Sequence, residues 1–148
     1  MAAMNPVLKD LLKLLQDTSS CDFTLRCNKD KQVQVHRLIL SARSPVFKAM
    51  MESDMKENRN GEVELHCSEE TVNALVHYIY TGELKEEVKG EIITELVKLG
   101  HEYQINDLVE DCADIFEITE KNVLQLGGAQ TLLKVCAKFI SENKRVLD

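Results

Sequence analysis

Four histidines (His36, His66, His77 and His101) and five cysteines (Cys21, Cys27, Cys67, Cys112 and Cys136) are the residues of this chain with the widest chemical repertoire. A zinc site wants four such ligands in close pairs, and the adjacent His66 and Cys67 are too few. Cys21 and Cys27 flank a strand-like stretch at a spacing that fits no recognised site, and no CxxC occurs. A cysteine nucleophile needs a partnered histidine, which spacing alone does not supply. GxSxG, HExxH and P-loop motifs are missing from the sequence. Gly127-Gly128 reads as a helix break rather than a phosphate cradle. The carboxylates are spread over helix faces, where solvation is their default role. The expectation is a protein that is not an enzyme, holds no metal or cofactor, and keeps its thiols as buried structural groups.

One residue is out of keeping with its surroundings. Met55 stands in SDMKENRNG (53–61), among Asp54, Lys56, Glu57, Asn58, Arg59 and Asn60. A loop of this composition should be wet. Pattern alone suggests that Met55 folds back onto Phe47 or Met51. The alternative is that it fills a pocket on a partner, a use to which flexible methionines are well suited.

The frame that must hold these residues is one domain of common size, 148 residues long. Such a domain buries roughly 70% of its unfolded surface and needs no disulfide or metal for stability. Its apolar fraction of 44% and charged fraction of 29% are those of a globular chain. A formal charge of −7 argues against a general nucleic-acid partner, which calls for a basic stripe. No apolar run approaches the ~18 residues of a membrane helix, so no membrane partner is expected. The odd cysteine count and the lack of a secretory n-region and h-region point to free thiols in the cytosol or nucleus.

Residues 6–17 read as a helix capped by Asn5 and opened by Pro6. At about 100° per residue, Val7, Leu8, Leu11, Leu12, Leu14 and Leu15 share an arc of roughly 160°. That is wider than the stripe an ordinary surface helix needs. The helix is either sunk deep in its own core or covered by a partner as well. Asp22–Cys27 and Gln32–His36 alternate like strands around the turn residues Asn28–Lys31, which predicts a hairpin. HRLILSARS is a helical stretch broken before Pro45, and Pro45 opens a second helix, PVFKAMME. After the polar loop, EVELH (62–66) is a third strand. Ser68 caps a helix that Gly82 ends. Further helices are expected over about 91–99, with Gly100 past the end, and over about 106–116. Thr119 caps a short segment, and a last helix carries Leu132, Leu133, Cys136, Phe139 and Ile140. Three short strands cannot stand alone, so they must lie on helices. The fold class is α+β, mostly helical.

Four segments, CDFTL (21–25), VHRLILSARSPVF (35–47), YIYTGEL (78–84) and HEYQINDLVEDC (101–112), together resemble the BTB/POZ domain family. Within it they look most similar to the speckle-type POZ proteins, although no MATH domain, Kelch repeat or zinc finger is present. The resemblance implies a cluster of helices capped by a short three-stranded sheet. It places a BTB/POZ domain over 5–117 and a helical tail over 118–148. That tail is similar to the family's "3-box" helical pair, but its first helix is cut short at Gly127-Gly128.

The resemblance also implies a homodimer. The first helix would pack across a twofold axis through Val7, Leu8, Leu11, Leu12 and Leu15, without the exchanged N-terminal strand of the zinc-finger members, since too little chain precedes Pro6. Asp22 and Arg37 match the family's charged pair near that axis. Read without the family, Asp22 is a strand-start residue bonding nearby backbone, Arg37 an exposed helix residue and His36 a structural hydrogen-bonding residue. Many family members are adaptors for cullin-3 ubiquitin ligases, and their apolar-x-Glu contact motif falls on Met55 and Glu57. The expected role is a dimeric scaffold whose partners are itself, the N-terminal domain of cullin-3 and related BTB proteins. The alternative is a bare dimerisation module that pairs with or sequesters related BTB proteins without any cullin.

Overall fold

The computed structural model describes residues 5–85, 88 and 90–115. Contacts divide the chain into two units that meet between Val88 and Lys89.

The first unit opens with helix α1, Pro6–Gln16, with Pro6 in its first turn and Asn5 Oδ1 accepting the Val7 N–H at 2.8 Å. Strands β1 (Phe23–Arg26) and β2 (Gln32–Val35) form the antiparallel hairpin, with Leu25 opposite Val33. Each strand is shorter than the alternation suggests. The turn is a single 3-10 turn over Asn28–Asp30, with Lys29 and Asp30 both at positive φ. Helices α2 (Arg37–Arg43) and α3 (Pro45–Glu52) follow, broken where the rule for residues before proline requires. Ser44, itself buried, caps α3 by accepting the Phe47 N–H at 3.1 Å.

The stretch expected to be a loop is not one. Lys56–Asn60 forms a short helix, α4, with Met55 at its N-cap and Gly61 at its C-cap with φ of 70°. Five polar residues carry no apolar period, so nothing in their pattern announces a helix. Strand β3, Glu62–Glu64, follows directly and pairs parallel to β1, giving the order β2-β1-β3. It ends sooner than EVELH suggests, and His66 takes a positive φ of 53°. Helix α5, Glu69–Thr81, runs from its Ser68 cap to Gly82 at φ 74°, as its sequence indicates.

Phe23, Leu25, Cys27 and Val35 of the hairpin are buried, as are Leu40, Phe47 and Met50 of α2 and α3. Helix α5 buries residues on nearly every side, including Val72, Leu75, Tyr78 and Ile79, and α1, α2 and β2 each touch it.

In the second unit α6 spans Gly90–Glu102, and residues 106–115 are also helical. Gly100 lies inside α6 and not past its end. A Cβ there would stand 2.9 Å from Val109 Cγ2 and 3.3 Å from Leu108 Cδ2. The glycine therefore marks a close helix-to-helix approach rather than a stop. The chain turns at Tyr103–Ile105, where Gly100 O accepts the Ile105 N–H at 2.8 Å. Phe116, the Thr119 cap, Gly127-Gly128 and the tail over 118–148 lie outside the described residues.

Candidate protein-interaction surfaces

Helix α1 buries none of its residues. Leu8, Leu11, Leu12 and Leu15 are half-buried, while Val7 is 63% exposed and Leu14 38%. One side of the apolar arc meets α5, and the rest faces out of the single chain. Leu38 on α2, which the sequence reading did not single out, is 81% exposed. It edges a shallow groove of about 610 Å³ with Ala42, Pro45, Lys48 and Glu52. A leucine that points outward from a short helix breaks no period, so the sequence carries no signal for it.

Met55 is 45% exposed, and its N–H is accepted by Ser53 Oγ at 3.3 Å. Glu57 sits in the first turn of α4, where a carboxylate suits the helix dipole. It lines a cleft of about 210 Å³ with Arg26, Lys56, Asn60 and three residues of β3. Across this cleft Arg26 reaches Glu62 at 3.4 Å and Glu64 at 3.7 Å. These exposed pairs contribute little stability, about 0–1 kcal/mol each.

Asp22 and Arg37 do meet, but not carboxylate to guanidinium. Asp22 Oδ1 accepts the backbone N–H of Arg37 at 2.8 Å, capping α2 from a distance, and the Asp22 carbonyl accepts Arg37 Nε–H at 3.1 Å. Arg37 then donates from Nη1 to Asn58 Oδ1 at 2.7 Å and from Nη2 to Asn58 O at 3.0 Å. Its guanidinium lies 5.3 Å from the Phe23 ring centroid. Asn58 is a further residue that sequence reasoning missed, because a partner 21 residues away leaves no periodic trace.

His36 is a hydrogen-bonded structural residue. Its ring lies between Tyr80 and Ser20, with 2.8 Å contacts to both hydroxyls. Cys21 Sγ is 3.8 Å from His36 Nε2, but burial and the charges of Asp17 and Asp22 push its thiol pKa up. Burial likewise raises the thiols of Cys27 and, to about 12, Cys112. A catalytic cysteine needs the opposite shift. Among the described residues, no three His, Cys, Asp or Glu side chains gather as a metal site would require, and no helix is long and apolar enough to cross a membrane.

A model of the BTB/POZ domain matches residues 11–120. Human Kelch-like protein 28 is 29% identical over 146 residues, covering 93% of this chain and 25% of that protein. Human Kelch repeat and BTB domain-containing protein 4 is 34% identical over 109 residues, covering 72% of this chain and 20% of that protein. The chain thus spans a quarter or less of the length of these relatives. They are Kelch-type proteins, so they support the broad family and not the speckle-type subgroup that the motifs suggest. The fold matches the BTB domain of human gigaxonin with a TM-score of 0.59 at 21% identity, over 78% of this chain and 96% of that one. The BTB domain of zebrafish PATZ1 matches equally well, with a TM-score of 0.59 at 21% identity over 74% of this chain and 87% of that one. With most of its length matched by the family model, the chain belongs to the BTB/POZ domain family, whose members are protein-interaction adaptors.

Proposed function

We propose that the protein is a homodimeric adaptor that binds the N-terminal domain of cullin-3 in a ubiquitin ligase assembly. The observation that carries this reading is the placement of Met55: an exposed apolar side chain at the head of α4, two residues before Glu57. A methionine there can enter an apolar pocket at small conformational cost to the fold, and Glu57 can offer its carboxylate beside it. Catalysis then belongs to other subunits, and a dimer doubles the number of ligase arms. The tail over 118–148 would act as a shortened 3-box beside a BTB/POZ domain over 5–117, in the cytosol or nucleus.

The dimer in this proposal is supported by α1. A helix with a broad apolar arc and no buried residue leaves apolar surface that a second copy can cover in an isologous contact. Exposed Leu38 favours a second reading, a dimerisation module without a cullin, since it adds to the exposed apolar surface that α1 presents. The two readings separate in one titration of the full chain with the cullin-3 N-terminal domain. The adaptor reading expects micromolar binding or tighter, weakened at least tenfold by Met55→Glu. No binding at micromolar concentration leaves the dimerisation module, and equal binding by both proteins removes Met55 from the contact.

A further inference from the structure

We infer that Arg37 is a positioning residue for Met55 and Glu57, acting through Asn58. The inference rests on the cullin reading of those two residues. Helix α4 has five residues, all polar, and none of them is buried. An isolated helix of that length does not hold itself together in water. Its place must be set by ties to the rest of the fold.

Those ties converge on Arg37. Its backbone N–H and Nε–H are fixed by Asp22 at 2.8 and 3.1 Å. Its guanidinium lies over the ring of Phe23, a core residue of β1. The two remaining guanidinium nitrogens both go to Asn58, one to the side-chain oxygen and one to the backbone oxygen. This is a forked, charge-assisted grip on one residue, which sets angle as well as distance. Asn58 passes the restraint on, because its Nδ2 donates to Ser53 O at 2.8 Å. Ser53 in turn accepts the Met55 N–H through Oγ. The run from Asp22 through Arg37, Asn58 and Ser53 therefore ends at the backbone of Met55. Glu57 is the residue directly before Asn58. A second tie, the Thr24 N–H donated to Gly61 O at 2.9 Å, holds the far end of α4 to β1. All three guanidinium nitrogens of half-buried Arg37 thus bond within its own chain.

The test uses the full chain, with Arg37→Met removing the guanidinium while keeping an unbranched side chain and the backbone bond to Asp22. Three quantities are compared with wild type: affinity for the cullin-3 N-terminal domain, sedimentation mass, and the Met55 methyl resonance of the free protein labelled with ¹³C-methyl methionine. The expected result is at least a tenfold loss of affinity, an unchanged mass and a shifted Met55 resonance. Asn58→Ala, which leaves Arg37 in place, should reproduce all three and stands in if Arg37→Met does not fold. Affinity within twofold of wild type overturns the inference. Lost affinity with an unmoved resonance also overturns it, since Arg37 then touches the partner directly. A reduced mass returns Arg37 to the dimer axis. If wild type itself does not bind, the cullin reading fails, and the Met55 resonance alone decides whether Arg37 positions α4.

Discussion

Tyr80 Oη stands 2.8 Å from His36 Nδ1 and accepts the His36 backbone N–H at 3.0 Å, so a single buried hydroxyl on α5 holds both ends of the residue that precedes α2. The network assigns the protons. Tyr80 gives its own to Nδ1, and Nε2–H is left to donate to Ser20 Oγ, which donates to Asp17 O at 2.9 Å. Helix α1 is thereby linked to α5 through its own C-terminal turn.

Tyr80→Phe removes this hydroxyl and strands two polar groups of His36. A loss of about 1–3 kcal/mol is expected, the cost of leaving buried partners unsatisfied. Urea titration of the two proteins measures it. A change below a few tenths of a kcal/mol means that solvent replaces the hydroxyl.

Alkaline pH should destabilise the fold over a defined window. Burial raises the Tyr80 phenol from 10.0 to about 12 and the Cys112 thiol from 9.0 to about 12. Both groups are neutral when protonated, so between these limits the folded state holds protons that the unfolded state has released. Their stabilising contribution is complete below about pH 9 and is lost as pH rises towards 12. Denaturation midpoints measured from pH 8 to 12 should be flat at first and then fall. Slow alkylation of Cys112 in the native protein at pH 8 is the companion expectation.

Leu11→Asp places a charge on the half-buried part of the α1 arc. In the proposed dimer this abolishes association, and sedimentation should give half the wild-type mass. No residue of α1 is buried, so the single chain should stay folded by circular dichroism. An unchanged mass rejects the interface assigned to α1.

Gly100→Ala sets two effects against each other. Alanine favours the helix by about 0.8–1 kcal/mol. Its Cβ, however, meets Val109 Cγ2 at 2.9 Å, and a buried β-branched side chain has little room to turn aside. Overpacking of this kind costs about 1–3 kcal/mol. The net expectation is a destabilised protein with a lower Tm. A higher Tm would show that the two helices separate readily.

The caps and breaks of this fold were readable because each is a local device. Asn5, Pro6, Ser68 and Gly82 act on backbone groups within a turn of themselves, and all four do what their sequence context indicates. Gly100 misleads because a stop signal and a close-packing residue are the same amino acid, and only the neighbouring helix tells them apart. Helix α4 escapes because its five polar residues carry no apolar period and its bonds to Arg37 come from far along the chain. The contact proposed for Met55 and Glu57 rests on a family motif and not on physics, since exposure in one chain does not identify what a partner will cover.

The parallel pairing of β1 with β3 has a consequence for how the chain is made. On the ribosome, β1 can zip onto β2 as soon as residue 35 emerges. Its other edge must wait until α2, α3 and α4 have been translated and Glu62 arrives. The closing of that long loop is a nonlocal step, slower than the zipping of the hairpin. A nascent chain that stalls before Glu62 presents an open strand edge in front of an incomplete core, a form prone to aggregate or to be taken up by chaperones. Translation pauses placed between codons 37 and 61 should therefore lower the yield of soluble protein more than pauses after codon 82.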